Sequence, residues 1–589
     1  MSTTPKTLCE AFQLSAAADP DAVALRTVGG TQSITWREYA QRVRNIATGM
    51  AGLGIGRGDT VALMLTNRPE FNIVDTAAVH LGAIPFSMYN TNSSEQIAYL
   101  LKNSGCRLII CEQQFLERVR GAAGPEHRII AIDGDTDNLA KLESAGNPGF
   151  DFDAAWQSVD SEDVLTLIYT SGTTGNPKGV EITHANVLEQ VVTSLVAYGL
   201  RRGDRTTSYL PGAHIADRMA AHYVQLIHGT QVTTVTDIRQ IVDALPDVRP
   251  TYWFAVPRVW DKMKVALEAA FAQQHGPKAL LLRRALELGR SSARGEDLGL
   301  IDRAQLALLD RIVLSQIRAK LGFDDLRCAM SGAASVSPET LEFFMALGIK
   351  LSEVWGMSET AGVATGNPLD RVKVGTVGTA LPGVEVRLAD DGEVLVRSAI
   401  VMRGYRNDPA RTAEVLDADG WLRTGDVATI DSDGYVKIVD RKKELIISAG
   451  GKNMSPCNIE DTIKSTCPLV GQAVAIGDAR AYNTAMIVLD ADVAAAYAQK
   501  HGIDSAASVL ADDPRVVATI ADGIAAGNAK LSRVEQIKRF RIVPEFWEPG
   551  GIEITPTMKL RRKPIAEKYA AEIAELYEPA LVPGVHEPA

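Results

Sequence analysis

Cysteine is scarce: six in 589 residues (Cys9, Cys106, Cys111, Cys328, Cys457 and Cys467), and no two stand at the spacing of zinc knuckles or thiol redox motifs. That excludes a disulfide scaffold and a cysteine metal centre, and all six are expected as reduced thiols. Positive charge is in deficit, with 61 Lys and Arg against 72 Asp and Glu for a net −11, the wrong sign for bulk affinity to nucleic acid. An anionic ligand must therefore meet a local site. No apolar run approaches the ~18 to 20 residues that cross a bilayer. The opening Met1-Ser2-Thr3-Thr4-Pro5-Lys6 has no apolar signal-peptide core behind it, so a cytoplasmic protein is expected. A calcium loop is lacking as well. Asp133-Gly134-Asp135-Thr136-Asp137 begins like one, but Asn138 replaces the required glycine and Ser144 stands where the bidentate Glu belongs.

What is present is material for large cores. Hydrophobic residues at 46% and charged residues at 23% are globular averages, and a prior of roughly 150 residues per domain suggests about four units. Thr60 to Leu65, Cys106 to Ile110 and Arg128 to Ile132 read as buried strands, while Trp36 to Leu53 and Glu70 to Leu81 carry helical spacing. This alternation predicts α/β layers with largely parallel sheets. From Val384 the texture changes to hairpins, one turning at Asp390-Asp391-Gly392 and another at Asp431-Ser432-Asp433-Gly434. The expected organisation is a large N-terminal domain over residues 1–440, made of layered α/β subdomains and a β-rich subdomain at about 375–440. A small α+β domain follows over 441–589.

One segment carries the chemistry. After the apolar run Val164 to Ile168 comes Tyr169-Thr170-Ser171-Gly172-Thr173-Thr174-Gly175-Asn176-Pro177-Lys178-Gly179. Glycines admit a polyphosphate to the backbone, hydroxyls and N–H groups donate to it, and one ammonium neutralises charge. A Walker A loop is excluded, because Pro177 stands where its second glycine belongs.

This segment resembles the signature of the adenylate-forming superfamily, which includes acyl-CoA synthetases, beetle luciferases and the adenylation domains of peptide synthetases. Further matches follow in the superfamily's order. Ser331-Gly332-Ala333-Ala334 and Ser352-Glu353-Val354-Trp355-Gly356-Met357-Ser358-Glu359-Thr360 resemble its adenine-binding strands, and Gly420 to Asp426 its ribose-binding motif. Asp440 to Ile446 resembles its hinge, Ser448 to Asn453 its thioester-step loop, and Thr555 to Leu560 its terminal lysine segment. Within the superfamily, Tyr209-Leu210-Pro211-Gly212-Ala213-His214-Ile215-Ala216-Asp217-Arg218 and Val256-Pro257-Arg258-Val259-Trp260 are similar to bacterial, mycobacterial-type long-chain fatty-acid-CoA ligases. Two residues depart from the pattern. Trp355 replaces the usual tyrosine and can still stack on a purine, and Met558 replaces the glycine before the terminal lysine.

The resemblance implies a reaction in which ATP and a fatty acid form an acyl-adenylate and pyrophosphate, and CoA then displaces AMP. It places Thr170, Ser171, Gly172, Thr173, Thr174, Gly175 and Lys178 on the phosphates. Gly332, Ala333, Ala334, Glu353, Val354, Trp355, Gly356, Met357 and Ser358 fall on the adenine, and Asp426, supported by Arg441, on the ribose. Glu359, with Thr170 beside it, is the implied Mg²⁺ ligand, a hard oxygen donor of the kind that ion takes. The resemblance also puts Lys559 between the carboxylate and the α-phosphate, His214 near the acyl carboxylate, Lys443 in a hinge at about 441–443 on which a mobile small domain turns, and Gly450 and Gly451 where CoA enters. Residues alone leave blander readings: a turn cap for Asp426, a solvated basic face for Lys559, a structural histidine for His214. Alternative functions are a fatty-acyl-AMP ligase that loads a carrier protein, a catalytically silent nucleotide-binding protein, or a kinase, which would release ADP. Residues 262–320 hold eleven Lys and Arg against six Asp and Glu, a +5 segment with Leu280-Leu281-Leu282 beside Arg283-Arg284. Such a segment either covers an acyl tunnel or lies on an anionic membrane. The oligomeric state is not legible.

Overall fold

The computed structural model describes residues 5–170, 176–447, 453–555 and 558–589. Two compact units emerge: Met1–Arg387 with Leu395–Arg423 and Asp431–Val436, and Leu388–Val394 with Thr424–Ile430 and Lys437–Ala589. The β-rich stretch supplies the strands Glu385–Leu388, Glu393–Arg397, Leu422–Ile430 and Val436–Arg441, and the division between units passes through them.

In the first unit, the strands Ile84–Ser87, Thr60–Met64, Leu108–Cys111 and Arg128–Ala131 form a wholly parallel sheet in that order. Thr60–Met64 is buried at every position, which is why it reads as an unbroken apolar run rather than an alternating one. The Trp36–Gly52 helix starts at a capping box in which Thr35 and Glu38 satisfy each other's backbone N–H groups, and it buries Trp36, Tyr39, Val43 and Ile46. Parallel pairing is not uniform in this unit: two further sheets add antiparallel strands to parallel ones, and the sheet that contains Val164–Thr170 is antiparallel in its described pairs. Tyr252–Ala255, Cys328–Ser331 and Leu351–Met357 run parallel, then Gly362–Gly366 and Thr379–Ala380 return antiparallel. Val164–Thr170 pairs antiparallel with Lys178–Thr183. The reason is connection length: a parallel pair needs a crossover of roughly a dozen residues, and 171–177 is too short for one.

The second unit has its own core. The strands Val470–Ile476, Asn483–Leu489 and Ile537–Ile542 form one sheet, with the Pro456–Thr466 and Pro514–Asn528 helices contributing Ile459, Ile463, Val516, Ile520 and Ile524 to the cluster against it. All six cysteines are free thiols, and only Cys457 is not fully buried.

Two buried histidines make the first unit acid-sensitive. Burial pushes His80 and His184 down to about 4, and His184 Nδ1 accepts the Leu8 N–H at 3.1 Å. Between their ordinary value of 6.5 and about 4 the unfolded chain binds protons that the folded chain refuses. Their contribution is therefore full above pH ~6.5 and lost as the pH falls, about 3 kcal/mol for each. Burial raises the Asp217 carboxyl to about 6, and acidification through that range favours the folded state instead, offsetting one histidine. Urea midpoints followed by tryptophan fluorescence should fall from neutral pH to pH ~4. His184→Asn, which keeps an acceptor for Leu8, should remove one histidine's share of that loss.

Candidate functional site

The hairpin Val164–Thr170 and Lys178–Thr183 places Thr170 directly across from Lys178 at the mouth of the connection. The connection leads into the strand Lys178–Thr183 and not into a helix, so it differs from phosphate loops that open a helix. The short strand Gly404–Tyr405 pairs with the outer side of this hairpin, Tyr405 opposite Val180. Its ring lies 4.7 Å from the Lys178 ammonium. Its hydroxyl donates to Glu359 Oε1 at 2.9 Å, and the Met402 N–H donates to the Glu359 carbonyl at 2.8 Å. Lys178 and Glu359, far apart in the chain, thus converge on one tyrosine. Tyr405 escaped the sequence reading because no spacing links it to either residue. Ser171, Gly172, Thr173, Thr174 and Gly175 lie outside the described residues.

The predicted adenine segments leave adjacent parallel strands. Ala255 pairs with Ser331 and Ser331 with Glu353, so the carboxyl ends of three strands emerge side by side, the usual ligand edge of an α/β sheet. Gly332, Ala333 and Ala334 follow the middle strand, and Glu353 to Met357 end the third. Glu353 is buried, and its carboxylate accepts the Val336 N–H at 3.2 Å, which ties the loop after Ala334 back to the sheet. Trp355 is 9% exposed. Gly356 tolerates no side chain, since a Cβ there would stand 1.8 Å from the Gly362 carbonyl oxygen. Ser358 and Glu359 form a single 3₁₀ turn ending at Ala361, whose φ is +51°.

Beside this edge runs the loop after the strand Arg205–Ser208. Tyr209 stacks on Trp253 with centroids 6.2 Å apart and donates to the Phe254 carbonyl at 3.3 Å. The buried Asp217 carboxylate closes the loop by accepting the Tyr209 and Leu210 N–H groups at 3.1 and 3.0 Å and the Ser208 hydroxyl at 2.7 Å. The next residue, Arg218, is wholly buried. It donates to the Gly212 carbonyl at 2.9 Å and pairs with Asp75 at 2.7 Å, and His222 stands 3.0 Å from the other Asp75 oxygen. Burial opposes charge on Asp75, yet the Arg218 guanidinium and His222 hold its carboxyl below the usual range. A π-helical turn over Arg218–Tyr223 aims these side chains inward. His214 is half-buried, and its Nδ1 accepts the Ala216 N–H at 3.1 Å, so it caps the turn Ile215–Asp217 and carries the proton of a neutral ring on Nε2. The sequence analysis did not single out Asp75. Its signal was a carboxylate inside the fully buried run Ile73 to Val79, in which Thr76 is the one other polar residue.

In the second unit, Arg441 Nε lies 2.8 Å from Asp426 Oδ1, and Arg441 also donates to the Thr424 carbonyl at 3.2 Å. Gly425 between them has φ +74°, which brings the two ends of the turn under the guanidinium. Asp440 accepts the Ser455 hydroxyl at 2.6 Å and the Cys457 N–H at 3.1 Å, anchoring the Pro456–Thr466 helix. Lys443 is exposed. Lys559 sits in a tight loop: the Thr555 N–H donates to the Lys559 carbonyl at 2.8 Å and the Lys559 N–H to the Thr555 hydroxyl at 3.0 Å. Met558, in the glycine's place, adopts φ +68°, the conformation a glycine would take freely. Ala333, Ala361 and Met558 are three of six non-glycine residues with positive φ among those described, and such strain gathers at functional sites. Gly450 and Gly451 lie outside the described residues.

Residues 12–406 match the family model described as "AMP-binding enzyme", and residues 443–580 match "AMP-binding enzyme C-terminal domain". A Mycobacterium tuberculosis protein with the provisional name fatty-acid-CoA ligase fadD11 is 56% identical over 451 residues, 76% of this chain and 79% of its own. Long-chain-fatty-acid-CoA ligase FadD15 of the same organism is 35% identical over 579 residues, 95% of both. The ATP-bound MatB of Rhodopseudomonas palustris has a similar fold, with TM-score 0.71, 22% identity and coverage of 95% of this chain and 99% of that one.

The buried ion pair generates a stability prediction. Arg218→Met should cost about 3 to 5 kcal/mol, because it strands the Asp75 carboxylate without its guanidinium. Adding Asp75→Asn should recover part of the loss. Thermal or urea unfolding of the single and double variants measures both.

Proposed function

The chain belongs to the AMP-binding enzyme family, and from that premise we propose that it is an ATP-dependent long-chain fatty-acid-CoA ligase. The observation that carries the reading is the convergence of Lys178 and Glu359 on Tyr405, a cation and a carboxylate held on one tyrosine at the strand that follows the run of glycines and hydroxyls in sequence. The 35% identity to FadD15 across 95% of both chains supports the acid and thiol as substrates.

In the first half-reaction a carboxylate oxygen of the fatty acid attacks the α-phosphorus of ATP, the bond to the β-phosphate oxygen breaks, and pyrophosphate leaves. In the second, the CoA sulfur, its proton lost, attacks the acyl carbonyl carbon, the bond to the phosphate oxygen breaks, and AMP leaves. No enzyme nucleophile is required, so the protein's part is positioning and charge neutralisation. Ser171 to Gly175 and Lys178 hold the β- and γ-phosphates. Gly332 to Ala334 and Glu353 to Ser358 flank the adenine, with the Trp355 ring against it. The Asp426 carboxylate, oriented by Arg441, accepts the ribose hydroxyls. Lys559 spans the attacking carboxylate and the α-phosphate, and His214 offers its Nε2–H near the same carboxylate. Gly450 and Gly451 leave room for the thiol, and Lys443 is where the small domain turns between half-reactions.

The donor chemistry fits Mg²⁺. No group of three or more His, Cys, Asp and Glu among the described residues could hold a metal by itself. Glu359 and the Thr170 hydroxyl are hard oxygens, the one or two protein ligands such an ion takes when phosphate and water supply the rest. When bound, the ion neutralises charge developing on the phosphates. Tyr405 then acts on Glu359 as an outer partner that fixes the carboxylate. The fatty acid is itself an amphiphile that partitions into bilayers, and residues 262–320 are the segment through which the enzyme would meet one.

Incubation with ATP and acids of increasing chain length should release AMP and pyrophosphate, and acyl-CoA only when CoA is present. ADP as product would overturn the reading, and an acyl-adenylate that transfers to a carrier protein but not to CoA would replace it with the carrier-loading alternative. Lys559→Ala should slow acyl-adenylate formation on the order of 10² to 10³-fold while sparing conversion of supplied acyl-adenylate to acyl-CoA. Equal damage to both half-reactions would remove Lys559 from that role. Tyr405→Phe should raise the Mg²⁺ concentration for half-maximal activity about 10-fold with little change in stability.

A further inference from the structure

Residues 257–320 fold into the helices Pro257–Ala272, Pro277–Ala293 and Leu300–Leu309, the last continuing through a π-helical turn at Asp310–Leu314 into Ser315–Lys320. Their inner faces are ordinary core, with Leu282, Ala285, Leu288, Leu309 and Leu314 buried. Their outer faces are not ordinary. Leu300 and Ile301 are each 84% exposed, Leu280 66% and Leu308 58%. Arg284 donates to Asp302 at 2.7 Å and to Gln305 at 3.0 Å, which clamps the Pro277–Ala293 helix beside the Leu300–Leu309 helix. Leu280 lies one turn from Arg284, and Ile301 and Leu308 lie one turn either side of Gln305, so the exposed aliphatics of both helices flank the clamp on one face.

The structure also sorts the segment's charges. Lys264, Arg284, Arg294, Arg303 and Arg318 are ion-paired with Glu268, Asp302, Glu342, Asp297 and Asp310. Lys278, Arg283, Arg290, Arg311 and Lys320 are exposed and make no ion pair among the described residues. Of the six acids in 262–320, only Glu296 is likewise unpaired. This revises the basic rim expected from the sequence: Arg284 is consumed by the clamp, while Arg283 and Arg290 share the outer flank with Leu280.

We propose that this face docks the enzyme on an anionic lipid surface, with Leu280, Leu300, Ile301 and Leu308 entering the headgroup boundary and the open cations meeting lipid phosphates. Charge selects the occupant. The segment is +5 in a chain of −11, so the remainder is −16, and an anionic membrane attracts this segment while it repels the rest of the chain on average. A second copy paired through this face about a twofold axis would set +5 against +5. No helix among the described residues is long and apolar enough to cross a membrane, and the contact proposed, four aliphatic side chains and a few cations, is of the peripheral, reversible kind.

The test is cosedimentation of the full chain with vesicles of phosphatidylcholine alone and of phosphatidylcholine mixed with phosphatidylglycerol, with no ligase substrate present, so the outcome does not depend on the proposed activity. Binding should be confined to the anionic vesicles and weaken with salt. Arg283→Gln and Arg290→Gln should each lower the partition coefficient about fivefold. Leu300→Ser with Ile301→Ser should lower it further. All four positions are exposed, and unchanged thermal unfolding of the variants verifies that only the surface was altered. Equal binding to both vesicle types, binding unaffected by these substitutions, or concentration-dependent self-association abolished by them in the absence of lipid would each overturn the proposal.

Discussion

The hydroxyl of Tyr405 holds the Glu359 carboxylate at 2.9 Å while its ring lies under the Lys178 ammonium, and the proposed chemistry depends on that arrangement. A protein of net −11 has no general attraction for a nucleotide, so the positive charge has to be local and fixed. A lysine and a carboxylate left to themselves would pair and neutralise each other. The tyrosine offers a hydrogen bond to one and a π face to the other, so each has a partner that leaves its charge uncancelled. The backbone bond from Met402 to Glu359 and the pairing of Tyr405 with Val180 make this geometry a property of the sheet rather than of flexible side chains.

Behind the loop that carries His214, the first unit buries charge to hold shape. Arg218, Asp75 and His222 lie at 0% exposure, and Asp217 secures two backbone N–H groups and a hydroxyl with one carboxylate. Burying such groups is costly, and the cost is offset only because each donor and acceptor meets a partner. The result is a loop whose path is set by a network rather than by apolar packing, which tolerates no partial loss. Strained backbone stands elsewhere: Ala333 and Ala361 follow strands of the first unit and Met558 precedes Lys559 in the second, three of the six non-glycine residues with positive φ among those described.

Much of the fold was legible because burial writes itself into local patterns. Thr60–Met64 is an apolar run because it is buried on both faces, and the Trp36–Gly52 helix shows its capping residues and its 3.6-residue stripe. The motifs around Lys178, Glu359 and Asp426 were legible for a different reason: they match, in order along the chain, motifs of a known superfamily. What the sequence by itself determined is therefore the class of layers and the identity of most candidate site residues. The tertiary structure decided which of these meet. Tyr405 joins Lys178 to Glu359 through strand pairing between segments more than two hundred residues apart, Asp75 reaches Arg218 across a helix pair, and Arg284 is spent on a clamp while Arg283 stays open. The physical reason is that hydrogen bonds and ion pairs are set by distances of about 3 Å between side chains remote in sequence, and local periodicity reports which face of an element is covered but not what covers it.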